Sequence, residues 1–327
     1  MSYVLNRRST EVSEATRQRV LEAVAELDYR PNALARALAG QPTRSLGLVW
    51  TEGEGGAVEG GLGEGGLSAF LAGLSEAIYE SGYTLTLAGG VAPGELAPRL
   101  RELLSRQVEG LLLLAAAFPG DERLQEELVR RGRPLVVCGP VPEGFPAARV
   151  DVDHREGMRL AAAHLLALGH RHLAYLDVPG EWPYGPRREG FRAAVEAMDP
   201  RPETMTIPRG GTEADGYQAG ERLLAQTERP SAVVCANDAL AVGLLRAAWR
   251  HGVTVPEELA VVGFGDFPAG AYTVPTLTTV RASLRAMGAA AGETLMEAVE
   301  AGKPAQGCRL IPPKLVVRES CGSHLWL

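Results

Sequence analysis

From residue 45 onward, short apolar runs alternate with longer amphipathic stretches, and this alternation restricts the possible folds more than any other property of the chain. The runs are SLGLVW (45–50), YTLTLAG (83–89), GLLLLAA (110–116), PLVVCG (134–139), HLAYLDV (172–178), TMTIP (204–208), AVVCAN (232–237), LAVVGFG (259–265), TLTTV (276–280) and KLVVRE (314–319). Most are apolar at successive positions, as strands covered on both faces are. Between them lie helical patterns at 67–82, 95–107, 121–132, 155–169, 187–198, 213–227, 239–252 and 282–301. Strand and helix in alternation mean parallel sheets. Ten strands exceed what one core of this size usually holds, so two doubly wound sheets are expected, an α/β fold.

The first 45 residues are different in kind. They carry seven arginines against five acids, while the remainder carries 26 basic against 35 acidic residues. A basic head on an acidic body points the head alone at a polyanion. Ser13 is placed to cap a helix over 13–28, whose apolar positions Val20, Val24 and Leu27 share one face. Pro31-Asn32 ends that helix, a second short helix covers 32–40, and 41–45 is a linker.

Several chemistries are excluded. Gly61, Gly63 and Gly66 spell a dinucleotide-binding G-x-G-x-x-G, but ten residues separate Trp50 from the first glycine, whereas that turn follows its strand directly. No acid follows YTLTLAGG to hold a ribose, and Glu54, Glu59 and Glu64 repel a pyrophosphate. Eight glycines within 51–67 read instead as an acidic loop. Cys138, Cys235, Cys308 and Cys321 are far apart without a C-x-x-C pair, so neither a disulfide nor a zinc site is expected. His154, His164, His170 and His172 lack a carboxylate or cysteine at ligand spacing, and no metal is expected. There is no nucleophile elbow and no P-loop, so no enzyme and no cofactor are expected. The longest apolar run, LLLLAAAF (111–118), is far too short to span a bilayer, and the N-terminus has no apolar leader core, so a cytoplasmic protein is expected.

One family accounts for the whole pattern. VSEATRQRVLEAVAELDYRPNALARALAG (12–40) resembles the end of the headpiece of the lactose/galactose-repressor (LacI/GalR) family of bacterial transcriptional regulators. The likeness continues, in the family's order and spacing, through GHRHLAYL (169–176), RREGFRAAV (187–195), ANDALAVGLL (236–245), VTVPEELAVVGFGD (253–266), PTLTTV (275–280) and LVVRES (315–320). The resemblance implies a small all-α helix-turn-helix headpiece (1–30), a hinge helix and linker (31–44), and a core (45–327) of two periplasmic-binding-protein-like lobes. It places one lobe at 45–141 and 275–305 and the other at 142–274 and 306–320. The headpiece begins late: SYVLN (2–6) matches the last turn of the recognition helix, so helix 1, the turn and the base-reading half of helix 2 are not represented and the headpiece is expected to be incomplete.

The resemblance also assigns roles. Arg187 matches the arginine that reaches polar effector groups in the cleft, where a guanidinium fork suits hydroxyls or a carboxylate. Asp238 and Asp266 stand at strand ends, where open α/β sheets bind ligands; Asp238 is equally placed to cap the next helix. The family usually has two acids where this chain has Gly265 and Asp266, a charged residue at Gly139, an aromatic at Gly211 and an apolar effector contact in the acidic loop. In the head, Leu38 matches the hinge leucine that wedges between base steps in the minor groove, or else packs against a partner hinge helix. Asn32, Ala35 and Arg36 line the same groove, and Asn6 closes the recognition helix near a phosphate. The function implied is a ligand-responsive regulator, usually a repressor, binding a palindromic operator DNA as a homodimer. Its small-molecule effector would be a sugar or nucleoside. The competing expectation is a cytoplasmic sensor that binds a small molecule and has lost specific DNA binding.

Overall fold

The computed structural model describes residues 13–26, 43–51, 66–90, 92–114, 120–180 and 182–323. Asn6, Asn32, Ala35, Arg36, Leu38 and the acidic loop over 52–65 lie outside the described residues. The chain divides into two units, Met1–Arg44 and Ser45–Leu327. In the first, helix α1 (Glu14–Glu26) starts after Ser13, whose backbone oxygen and hydroxyl both accept from the Thr16 N–H, at 3.0 and 3.4 Å.

The second unit runs β1 (Ser45–Trp50), α2 (Gly66–Ile78), β2 (Thr84–Leu87), α3 (Leu96–Ser105), β3 (Gly110–Leu114), α4 (Glu122–Arg131), β4 (Leu135–Cys138) and β5 (Ala148–Val152). It continues α5 (His154–Ala167), β6 (His172–Asp177), α6 (Tyr184–Glu196), β7 (Glu203–Pro208), α7 (Glu213–Leu224), β8 (Ala232–Cys235), α8 (Asp238–Arg250) and β9 (Ala260–Gly265). It ends β10 (Thr278–Arg281), α9 (Leu284–Ala301), β11 (Cys308–Ile311) and β12 (Lys314–Val316). Among the described residues the strands form two six-stranded sheets, ordered β2-β1-β3-β4-β5-β11 and β7-β6-β8-β9-β10-β12. All pairs are parallel except β10 with β12. The two lobes thus repeat one doubly wound order, with a switch point beside β1 and another beside β6.

The apolar strands behave as their composition requires. In β3, Leu112 and Leu114 pack with Phe70, Leu74 and Leu295 on one face, while Leu111 and Leu113 pack with Leu100, Leu103 and Leu124 on the other. Side chains alternate between faces, so a strand covered by helices on both sides must be apolar throughout. Each fully buried leucine contributes about 1.5–3 kcal/mol. Helix starts are set by side-chain caps: Asp121 accepts from Leu124 N–H, Asp153 from Glu156 N–H, Asn237 from Leu240 N–H, and Thr212 and Asp215 cap reciprocally.

The lobe boundaries differ from those expected. The chain changes sheet three times, but at Asp153, at 282–283 and at 312–313. β5 and β11, absent from the ten expected strands, belong to the first sheet, and β10, expected there, belongs to the second. The lobes are therefore 45–152 with 284–311, and 154–281 with 314–321. Buried hydroxyls decide the position of β10. Thr278 and Thr279 are fully buried, and a buried hydroxyl needs a partner. Thr279 Oγ1 donates to Asp238 Oδ1 at 2.6 Å, and Thr278 Oγ1 accepts from the Arg318 N–H at 2.8 Å. Both partners lie in the second lobe.

Candidate functional site

The carboxyl end of β5 and the start of α5 meet the start of α6 at a chain crossing between lobes. Asp153 caps α5, which makes His154 its first residue and turns the imidazole back toward Asp151 at the end of β5. On α6, Gly190 lets the helix lie against α5: a Cβ there would sit 2.1 Å from the Arg155 carbonyl oxygen. Arg187, one turn earlier on α6, is brought beside His154 by the same approach.

These residues form a continuous polar chain. Arg187 is 3% exposed; its Nη1 donates to the Ala236 carbonyl at 2.6 Å and its Nε to His154 Nδ1 at 3.3 Å. With Nδ1 accepting, the imidazole proton lies on Nε2, which faces Asp151 Oδ1 at 3.4 Å. Asp151, fully buried, also accepts from Arg149 Nη2 at 2.6 Å, Trp182 Nε1 at 2.8 Å and the Val152 N–H at 2.8 Å. The Arg187 guanidinium lies 3.9 Å over the Phe264 ring and 5.2 Å from that of Tyr184. Burial and the Arg187 charge hold His154 below the usual histidine range, so it is neutral near pH 7. Burial raises the Asp151 carboxyl, but hydrogen bonds from His154, Arg149 and Trp182 outweigh it and hold the group below its ordinary value.

Beside this chain lies a small pocket, lined by Asp151, Val152, Leu284 and Met287 of the first lobe and by His154, Trp182, Arg187, Gly265 and Phe267 of the second, with Ala282 at the crossing. Of the three expected effector residues, Arg187 alone reaches its wall. Asp238 and Asp266, also expected at the effector, do not line this pocket, and both hold partners within the protein. Asp238 is 1% exposed and takes Thr279 Oγ1 on Oδ1 and the Phe267 N–H on Oδ2, at 2.6 and 2.8 Å. Burial raises its carboxyl. The Asn237 side chain, not Asp238, caps α8. Asp266 takes Arg318 Nη2 at 2.6 Å and Arg281 Nε at 2.5 Å. Both acids tie β9 to its neighbours.

The departures at glycines also have a structure. Gly265 has φ +139°, a conformation L-residues avoid, and a Cβ there would meet the Phe267 ring at 2.9 Å, so no acid fits. A Cβ at Gly211 would meet Asn237 Nδ2 at 3.2 Å and Tyr184 Oη at 3.6 Å, so the chain's own tyrosine reaches into that space. His164 and His170 make structural contacts, to Cys321 Sγ at 3.3 Å and Ser231 Oγ at 2.8 Å. All four cysteines are free. Asp151, Trp182 and Phe267 were not anticipated. The available signal was Asp151 itself, a lone acid within the apolar ARVDV.

Comparison with known proteins bears on what this arrangement does. Residues 1–32 match the family model described as bacterial regulatory proteins, lacI family, and residues 162–321 match that of a periplasmic binding protein-like domain. The HTH-type transcriptional repressor PurR of Mannheimia succiniciproducens is 30% identical over 98% of this chain and 93% of its own. The PurR of Vibrio parahaemolyticus is 31% identical over 98% and 93%. Among solved structures, the regulator CelR in complex with cellobiose has a TM-score of 0.71 and 29% identity, covering 98% of this chain and 94% of that one. The lac repressor dimer bound to operator and an anti-inducer, at 24% identity, shares the fold with a TM-score of 0.79 over 98% and 94%.

Proposed function

Because the chain belongs to the LacI family of bacterial regulatory proteins, we propose that it is a cytoplasmic repressor that binds palindromic operator DNA as a homodimer and is controlled by a small molecule between its lobes. The observation that carries the effector reading is the pocket at the crossing, which both lobes line and which Arg187 reaches. A molecule bound there touches both lobes at once. It shifts their relative arrangement by as much as its affinity differs between the open and closed forms.

The dimer reading is supported by exposed apolar side chains on the second lobe. Tyr272 and Val274 are 86% and 92% exposed, and Trp249 near the end of α8 is 69% exposed, positions that fit a subunit contact better than water. For DNA, the residues proposed are Leu38 as the minor-groove wedge, Asn32, Ala35 and Arg36 beside it, and Asn6 at a phosphate. In vitro selection from a randomised duplex library tests this. The expected product is a sequence with two-fold symmetry, bound more tightly than a scrambled duplex at physiological salt. Recovered sequences without symmetry, or equal affinity for both duplexes, would refute specific operator binding.

A further inference from the structure

We infer that Asp266 anchors the lobe crossings: by holding Arg281 and Arg318 on one carboxylate, it makes two of the three crossings leave the second lobe as a single stiff unit. Turning between the lobes is thereby confined to 282–283 and 312–313. This rests on the proposed reading that an effector shifts the arrangement of the lobes, and adds what limits that shift.

The two crossings start side by side. β10 and β12 pair antiparallel with Arg281 opposite Lys314, so 282 and 313 are the next residues toward the first lobe. β12 has only three residues and, among the described residues, pairs with β10 alone at the margin of its sheet. A strand so short is weakly held by its ladder. Asp266 supplies a second restraint. It follows β9, on the far side of β10 from β12, and its carboxylate reaches past both. Oδ2 accepts from Arg281 Nε at 2.5 Å and Oδ1 from Arg318 Nη2 at 2.6 Å. Arg318 is fixed in turn, its Nη1 donating to the Leu277 carbonyl at 2.7 Å and its N–H to Thr278 Oγ1 at 2.8 Å. One side chain thus ties three strands together.

The backbone is bent to allow this. Gly265 and Asp266 have φ of +139° and +58° in succession, and the left-handed region is strained for a residue with a Cβ. Such strain persists only where the surroundings hold it, as the bond from the Asp266 N–H to Thr279 Oγ1 at 3.3 Å does here. The first lobe is equally firm up to the crossings. Ser283 caps α9 by accepting from the Ala286 N–H at 3.3 Å. The Ile311 carbonyl accepts from the Asp153 N–H at 3.1 Å, which joins the remaining crossing to its neighbour. Between them, Pro312 and Pro313 have fixed φ and no N–H. Few dihedrals are left to turn, and a hinge is a short set of such positions between packed elements. The two arms of the anchor differ: Arg318 is 20% exposed, whereas Arg281 is 51% exposed and open to screening by salt.

The test is pulsed electron paramagnetic resonance on the full chain. Spin labels are placed at Glu80→Cys on the first lobe and Glu228→Cys on the second, both exposed positions, with Cys308→Ser removing the exposed native thiol. Labelled protein is diluted into an excess of unlabelled chain, so that distances within one chain dominate. This parent is expected to give a narrow distance distribution. Asp266→Asn removes the charge that both arginines share and should broaden the distribution, adding distances the parent lacks; Arg281→Met should broaden it less. Leu223→Ala, which removes a buried side chain of α7, should lower stability and leave the width unchanged. An unchanged width in Asp266→Asn, or in Arg281→Met should Asp266→Asn not fold, would overturn the inference. So would a parent already as broad as the variants, or equal broadening in Leu223→Ala. No effector is added, so failure here leaves the effector reading to be judged by calorimetry on Arg187→Met.

Discussion

Replacing Gly190 by alanine is the sharpest perturbation of the site that touches none of its polar atoms. The added Cβ would lie 2.1 Å from the Arg155 carbonyl oxygen, whereas ordinary contact begins at 3.4 Å, so α6 and α5 must part by about 1.3 Å. Arg187 lies three residues earlier on the same face of α6 and moves with it. Its 3.3 Å hydrogen bonds to His154 then lengthen past any useful range. Overpacking costs about 1–3 kcal/mol, and leaving His154 Nδ1 buried without a donor costs about 1–3 more. Alanine returns about 1 kcal/mol through its higher helix propensity. The net expectation is a loss of about 1–5 kcal/mol, or roughly 2–20 °C in melting temperature for a lobe of this size. Scanning calorimetry or circular dichroism measures it, with Gly120→Ala as the control, since a Cβ there meets nothing within 4 Å. A Gly190→Ala protein that melts within about 1 °C of the wild type would refute the claim that the α5–α6 approach sets the geometry around Arg187.

Four further outcomes follow. Because His154 titrates below its unfolded value of 6.5, its contribution to stability is complete above that pH and lost as pH falls toward the folded value. Urea titrations of wild type and His154→Gln from pH 7 to 5 should diverge by up to about 1.4 kcal/mol per pH unit, the comparison being needed because His170 is shifted the same way; parallel curves would exclude the neutral, buried imidazole. Thr279→Val removes the donor to Asp238 Oδ1 and should destabilise by about 1–3 kcal/mol in urea unfolding, and a neutral result would show that this carboxyl is otherwise satisfied. Arg187→Met should abolish ligand-induced thermal stabilisation while leaving a folded core, and unchanged calorimetric binding would remove Arg187 from the site. In thiol titration of the native protein, exposed Cys308 should react first and buried Cys138 and Cys235 only on unfolding; early modification of the buried pair would contradict the packing of β4 and β8.

What was legible in the amino-acid order was whatever depends on neighbours a few positions apart. Runs such as GLLLL have one conformation open to them when helices flank them, so parallel sheets followed from spacing alone. The helix start at Ser13 followed from a side chain that bonds the backbone three residues on, and Asp121 and Thr212 cap their helices in the same way. The motif RREGF marked α6 correctly, and the physical sense of its glycine is the close passage over Arg155. Sheet membership was another matter. TLTTV reads as a strand wherever it is placed, and its lobe is decided by Asp238 and Arg318, each about forty positions away. β5 and β11 escaped notice because Arg149, Asp151 and Arg309 interrupt their apolar character. Asp151 is nonetheless fully buried, because Arg149, Trp182 and His154 converge on it. The same long-range pairing occupies Asp238 and Asp266, so that of the three residues expected at the effector Arg187 alone lines the pocket. Local order determines which segments become strands and helices. Which polar groups stay available to a ligand is settled only when distant segments meet and satisfy one another, since a buried donor or acceptor takes the first partner that packing brings within reach.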